Sequence, residues 1–138
     1  MQTFLICPDY YTSHCHLDKS RLGNQIYREG LTLLSGGWPN HPASKAWKNH
    51  KYQLAKYLLA GVDAMEWRNW YKKETIDKWR SFFSEKLNQF PVCEPPTWVF
   101  DSNFLAAHRS NLLRKDKVWY GQFGWTEPDN LPYVWPVT

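Results

Sequence analysis

The sequence predicts an all-α fold: a compact single-domain helical bundle of about four main helices with extended N- and C-terminal segments. Three observations predict it. Four stretches carry apolar side chains at three- and four-residue spacing, the period of a helix with one buried face. Each stretch is bounded by a capping residue or by a break rich in glycine or proline. The chain has 138 residues, enough for one core of ordinary density, so residues 1–138 read as one domain.

Residues 1–17 read as irregular. Thr3 to Ile6 is a short apolar run that fits either a strand or a buried extended arm, and Pro8 closes it. Asp18 is a good N-cap for a helix from about Lys19 to Leu34, with Leu22, Ile26, Leu33 and Leu34 near one face. Ser35-Gly36-Gly37 stops that helix. Trp38-Pro39-Asn40-His41-Pro42 is a rigid turn in which Asn40 or His41 can cap, and Pro42 suits the first turn of a second helix. That second helix carries Trp47, Leu54, Ala55, Leu58, Leu59, Val62 and Met65 at helical spacing and runs to about Trp70. Gly61 within it costs about 1 kcal/mol. A third helix, about Thr75 to Gln89, stripes Ile76, Trp79, Phe83 and Leu87 on one side; Pro91, Pro95 and Pro96 form the break after it. Asp101 caps a fourth, with Phe104, Leu105, His108 and Leu112 inward and Arg109, Arg114 and Lys115 outward or toward a ligand. Val118 to Thr138, with its prolines and aromatics, reads as an ordered wrap over the helices.

A mean hydropathy of −0.64 and no apolar run near about 18 residues exclude a membrane-spanning helix. The first residues lack the basic and apolar regions of a signal peptide, so a cytoplasmic chain is expected. Three cysteines, Cys7, Cys15 and Cys93, are an odd number and read as reduced thiols. Cys7, His14, Cys15 and His16 form a local group, but adjacent Cys15 and His16 converge poorly on a tetrahedral ion, and no metal is expected.

Seventeen Lys and Arg against thirteen Asp and Glu give a net charge of +4, unevenly spread. From Lys19 to Lys56 seven cations face one anion, Glu29; a second basic cluster is Arg109, Arg114, Lys115 and Lys117. Such segregation points to one basic face and a polyanionic partner, or to a basic solvated surface. Nine Trp, eight Tyr and seven Phe exceed the needs of a small core, so some rings are expected at the surface or in a cleft, where they can stack on bases.

Phosphate-loop and dinucleotide glycine motifs are absent, as are His-Glu-x-x-His and Cys-x-x-Cys. The helix from Lys19 is more informative. Arg21, Gln25 and either Arg28 or Glu29 share one face. Glu29 is then a lone carboxylate in a basic field, kept ionised by its surroundings. A fixed carboxylate beside a phosphate-binding face suits stabilisation of a cationic sugar transition state. Equally, Glu29 can pair with a neighbouring cation and merely orient the helix. His41 and His108 are candidate acid–base or phosphate-contact groups, or a cap and a core residue.

Met1-Gln2-Thr3-Phe4-Leu5, Leu17-Asp18-Lys19-x-Arg21-Leu22-Gly23-Asn24-Gln25, Tyr27-Arg28-Glu29-Gly30, Gly37-Trp38-x-Asn40-His41-Pro42, His108-Arg109-x-x-Leu112-Leu113-x-Lys115-Asp116 and Tyr133-Val134-Trp135-Pro136 together resemble the pyrimidine dimer DNA glycosylase (endonuclease V-like) family, in its small bacterial and phage branch. The resemblance implies a DNA glycosylase with associated AP-lyase activity and no cofactor. Its expected substrate is double-stranded DNA carrying pyrimidine dimers or related damaged or modified bases, bound by a monomer that flips a base. It implies Glu29 as catalytic carboxylate and an N-terminal amine as nucleophile. Gln2 is bulky enough to block removal of the initiator residue, which puts that amine on Met1. Arg21, Gln25, Arg28, Asn40 and His41 would form the lesion pocket; Lys45, Lys48, His108, Arg109 and Lys115 would contact the DNA backbone. The alternatives are a non-catalytic nucleic-acid-binding protein on the same scaffold, and a nuclease or hydrolase using a histidine base.

Overall fold

The computed structural model describes residues 3–135, and among them there are helices and loops but no strand. The helices are α1 (Tyr10–Cys15), α2 (Lys19–Asn24), a π-helical segment (Gln25–Gly30), α3 (Leu31–Leu34), α4 (Pro42–Ala46), α5 (Lys51–Arg68), α6 (Lys73–Gln89), α7 (Ser102–Lys115) and α8 (Lys117–Tyr120). Short 3-10 turns lie at Thr97–Phe100 and Gly121–Phe123. The fold is all-α, with no helix long and apolar enough to cross a membrane among the described residues.

α5 is the axis of the core. Leu54, Leu58, Val62 and Met65 recur at helical spacing and are shut off from solvent. α5 packs against α1, α6 and the π-helical segment. It ends at Asn69, whose φ of 57° is the left-handed cap that stops a helix. Gly61 is less a tolerated cost than a requirement: a Cβ there would meet Ile26 Cδ1 and sit 3.1 Å from His14 Cε1.

The helix expected from Pro42 to about Trp70 is two helices. Trp47 turns into the core, 2% exposed, and donates from Nε1 to Thr3 Oγ1 at 2.9 Å. Asn49 then takes a φ of 68°, which redirects the chain before α5 begins. The segment read as irregular contains α1, capped by Asp9, whose carboxylate accepts from Thr12 N–H at 2.8 Å.

Thr3 to Ile6 is the extended arm rather than a strand. Its amides are satisfied one after another by side chains from elsewhere in the chain. Phe4 N–H donates to Gln25 Oε1, Leu5 N–H to His108 Nδ1 at 3.0 Å, and Ile6 N–H to Ser13 Oγ at 2.9 Å. At the other end the wrap, as far as residue 135, packs onto the helices: Trp125 stacks on Tyr120 with ring centroids 5.7 Å apart, and Trp119 Nε1 donates to His16 O at 2.8 Å.

Candidate active site

A cavity of about 520 Å³ opens between the N-terminal arm, the π-helical segment, the start of α4, the end of α7 and the C-terminal segment. Its lining includes Phe4, Arg21, Gln25, Glu29, His41 and Lys115, residues far apart in sequence. Tyr133 and Trp135 close one side, stacked on each other at 6.2 Å with Trp135 edge-on to His41.

The π-helical segment explains which side chains converge. An extra residue per turn widens the helix and changes the phase of everything after it. Asn24, five residues before Glu29, lines the cavity beside Gln25, four before. Arg28 is turned away to the solvent side and does not line the cavity. Of the two partners the sequence allowed for Arg21 and Gln25, the fold selects Glu29. Gly30 closes the segment because nothing larger fits: a Cβ would sit 2.6 Å from the Gln25 carbonyl oxygen and 2.8 Å from Leu58 Cδ1.

Beneath the cavity lies a buried polar chain. His14 Nε2 donates to the Tyr57 carbonyl at 2.9 Å, which leaves Nδ1 to accept from Gln25 Nε2 at 3.4 Å. Gln25 Oε1 accepts from Phe4 N–H, and the Tyr57 hydroxyl lies between that oxygen, at 3.0 Å, and the Phe4 carbonyl. Burial drives His14 down to a pKa of about 3, so the ring is neutral, as this pattern requires. Burial also pushes the Tyr57 hydroxyl well above its ordinary value, with the Glu29 carboxylate adding to the effect. Gln25 is 1% exposed; it fixes the arm and offers the cavity little more than its edge.

His41 caps α4, accepting from Ala43 N–H at Nδ1 at 3.0 Å. Its Nε2 is therefore the donor of a neutral ring, and burial lowers its pKa from the ordinary histidine value. Arg21 lines the cavity while its guanidinium bonds Asp18 at 3.2 Å. Asp18 stands at the N-cap position of α2, but its carboxylate accepts from Tyr120 at 2.5 Å and Arg21 instead of from the helix.

A family model described as pyrimidine dimer DNA glycosylase matches residues 1–78. The chain belongs to that family. Its members are DNA repair glycosylases, so the substrate is DNA. No curated protein and no solved structure matches the chain. Within the matched part lie Phe4, Arg21, Gln25, Glu29 and His41; Lys115, Tyr133 and Trp135 lie beyond it.

The remaining expected site residues separate in space. His108 is fully buried, accepts from Leu5 N–H and packs on Phe4 and Phe104, so it cannot touch a DNA backbone. Burial lowers its pKa to about 3. Arg109 is likewise structural: it donates from Nη1 to Ile6 O at 2.7 Å and from Nε to Glu127 at 2.8 Å. Asn40, Lys45 and Lys48 do not line the Glu29 cavity; they border a second, of about 920 Å³, across the turn. Met1 lies outside the described residues. Reasoning from sequence missed Ser20, Asn24, Tyr133 and Trp135 as lining residues. The C-terminal pair had a signal, an aromatic motif in a basic protein, but nothing local tied it to Glu29.

Proposed function

We propose that the chain is a DNA glycosylase with AP-lyase activity on pyrimidine dimers or related modified bases in duplex DNA, with Glu29 as its catalytic carboxylate and the Met1 amine as nucleophile. The observation that carries this reading is the convergence of Glu29 with Arg21, His41 and Lys115 around one cavity whose wall includes the N-terminal arm. Phe4 is part of that wall, and three peptide units of about 3.8 Å each separate it from Met1.

The chemistry follows from these groups. An α-amine of ordinary pKa near 8 has a usable neutral fraction at neutral pH. Its lone pair forms the bond to the sugar C1′ as the C1′–base bond breaks. The base leaves with that electron pair and takes up a proton. Glu29 faces the cationic sugar that develops, and an anion fixed in place costs no reorganisation at the moment of reaction. The attached nitrogen gives up a proton and its lone pair forms the C1′=N bond as the C1′–O4′ bond breaks; O4′ leaves with the electron pair and takes up a proton, which opens the ring and gives an iminium. Loss of a C2′ proton, for which Glu29 is the base within the cavity, then expels the 3′ phosphate and nicks the strand. Arg21 and Lys115 supply the positive charge that holds flanking phosphates, and neutral His41 donates a hydrogen bond.

Borohydride reduction tests this directly. The wild-type chain should be trapped covalently on dimer-containing duplex, with the adduct mapping to the N-terminal peptide. Glu29→Gln should cut the single-turnover rate by at least about 100-fold, the scale of losing one electrostatic group at a reacting centre. Salt-sensitive binding with no product and no adduct would leave a passive DNA-binding protein instead. Cleavage that survives acetylation of the α-amine would point to a histidine-based hydrolase.

A further inference from the structure

Trp38 is conspicuous on three independent grounds. Its side chain is large and apolar, yet the residue is 52% exposed. Its φ is 51°, a left-handed conformation that bulky residues rarely adopt. The turn around it is pinned rather than loose: Gly37 N–H donates to Thr32 O at 2.9 Å, His41 N–H to Trp38 O at 3.0 Å, and Ser44 Oγ to Gly37 O at 3.2 Å. A strained backbone held by its surroundings while presenting an indole to solvent points to a function for the indole.

Its position indicates what that function is. Trp38, Pro39, Asn40 and His41 line a shallow depression. His41 also belongs to the Glu29 cavity, while Pro39 and Asn40 also belong to the second, larger cavity. The three depressions therefore run in sequence across one surface, with Trp38 in the middle. The second cavity is lined by Lys45, Lys48 and Lys51 above an apolar floor that includes Trp47 and Phe90, and no carboxylate lines it. A flat ring between a cavity holding one carboxylate and a rim of cations matches a nucleic-acid strand, whose bases stack while its phosphates pair with lysines.

We propose that Trp38 is a stacking platform for a base of the DNA substrate. Its indole covers the face that a neighbouring nucleotide exposes when the duplex is opened at the Glu29 cavity, and Lys45 and Lys48 hold the phosphates beyond it. Trp38 is thus a positioning residue for the reaction. The assignment rests on the DNA-glycosylase reading of that cavity and adds to it which side of the cavity the strand leaves by.

The test is equilibrium binding of the full chain to a duplex containing a tetrahydrofuran abasic analogue, which has no glycosidic bond to cleave, and to the same duplex intact. Trp38→Asn and Trp38→Phe are compared with wild type. Asparagine adopts a left-handed φ more readily than tryptophan, so W38N should fold with an undiminished melting temperature. W38N should weaken binding to the analogue duplex about tenfold, and W38F by less than about threefold, because any aromatic face retains stacking. A 2-aminopurine beside the analogue should lose fluorescence on binding wild type but not W38N. Equal affinities of W38N and wild type, or a loss of affinity that tracks a lowered melting temperature, would overturn the assignment while leaving the glycosylase reading intact. Failure of the wild-type chain to bind either duplex would overturn both.

Discussion

The two ends of the chain meet at the same cavity but are held there by different forces. Phe4 arrives on an arm whose amides are bound singly by Gln25, His108 and Ser13. Tyr133 and Trp135 follow a stretch clamped at Pro128 O and Leu131 N–H by the buried Ser110 hydroxyl, but their own side chains are held by ring packing: they stack on each other at 6.2 Å, and Arg114 lies over Tyr133 at 5.9 Å. Hydrogen bonds to buried acceptors fix position to within tenths of an ångström and fail when an acceptor is protonated or removed. Ring packing tolerates small shifts and needs no hydrogen-bond acceptor in one protonation state. The arm is built for registration and the tail for cover. Arg109 joins them, reaching Ile6 O with one nitrogen and Glu127 with others.

The largest expected effect falls on the arm, through His14, which holds Gln25, and His108, which holds Leu5 and lies edge-on to Trp135 of the tail at 6.4 Å. His14 and His108 are both buried, and burial holds each at a pKa of about 3 against an unfolded value near 6.5. The folded state therefore binds fewer protons than the unfolded state between those limits, and stability rises with pH across that window. The contribution is fully present above about pH 6.5 and is lost progressively as pH falls toward 3. At pH 5 each histidine costs about 2 kcal/mol, so the pair removes about 4 kcal/mol. Urea unfolding at pH 7 and pH 5 measures the difference. His108→Gln, which keeps an acceptor for Leu5 N–H, should roughly halve the slope. A flat profile would mean that the arm is not held by neutral imidazoles.

The next effect lies where the two ends join. Arg109→Leu removes charged hydrogen bonds to Ile6 O and Glu127 and should destabilise by about 2–3 kcal/mol. Burial pushes Glu127 up, but the bond to Arg109, a backbone hydrogen bond and the Arg109 charge together outweigh it and leave the carboxyl below its ordinary value. That coupling disappears in the variant. The slope of DNA affinity against salt should not change, because Arg109 is occupied within the protein. Lys115→Ala should do the reverse: little change in stability, and a salt slope smaller by about one. If R109L lowers the salt slope, Arg109 contacts phosphate after all.

That reversal also shows what the sequence could and could not disclose. The helices with Leu54, Leu58 and Val62, or Ile76 and Phe83, on one face were legible because their spacing is a local property that burial enforces. So was the grouping of Arg21, Gln25 and Glu29, one short helical stretch. What was not legible depends on contacts across the chain. His108 and Arg109 stand in a basic, motif-like run that reads as DNA contact, and no local pattern reveals that Leu5 and Glu127 come to meet them. The choice of Glu29 over Arg28 rests on the π-helical segment. The Gly30 that such a turn requires is visible in sequence, but it stands inside a continuous helical stretch with nothing local to mark the change of period.

The smallest expected effect on stability tests the tail. Tyr133 is 42% exposed and stacks on Trp135 while lining the cavity. Tyr133→Ala removes a half-exposed ring, and its cost to folding should be below about 1 kcal/mol, a surface-type substitution. If the tail is cover, its loss should appear in function: water enters beside Glu29, and the carboxylate's interaction with a cationic sugar weakens as the local dielectric rises. The expected outcome is a single-turnover rate on dimer-containing duplex lowered several-fold, with binding to intact duplex unchanged. Tyr133→Phe should restore the rate, because cover needs the ring and not the hydroxyl. A rate that Tyr133→Phe does not restore, together with a Tyr133→Ala melting temperature that falls as far as in R109L, would place Tyr133 with the arm, as part of the registration and not of the cover.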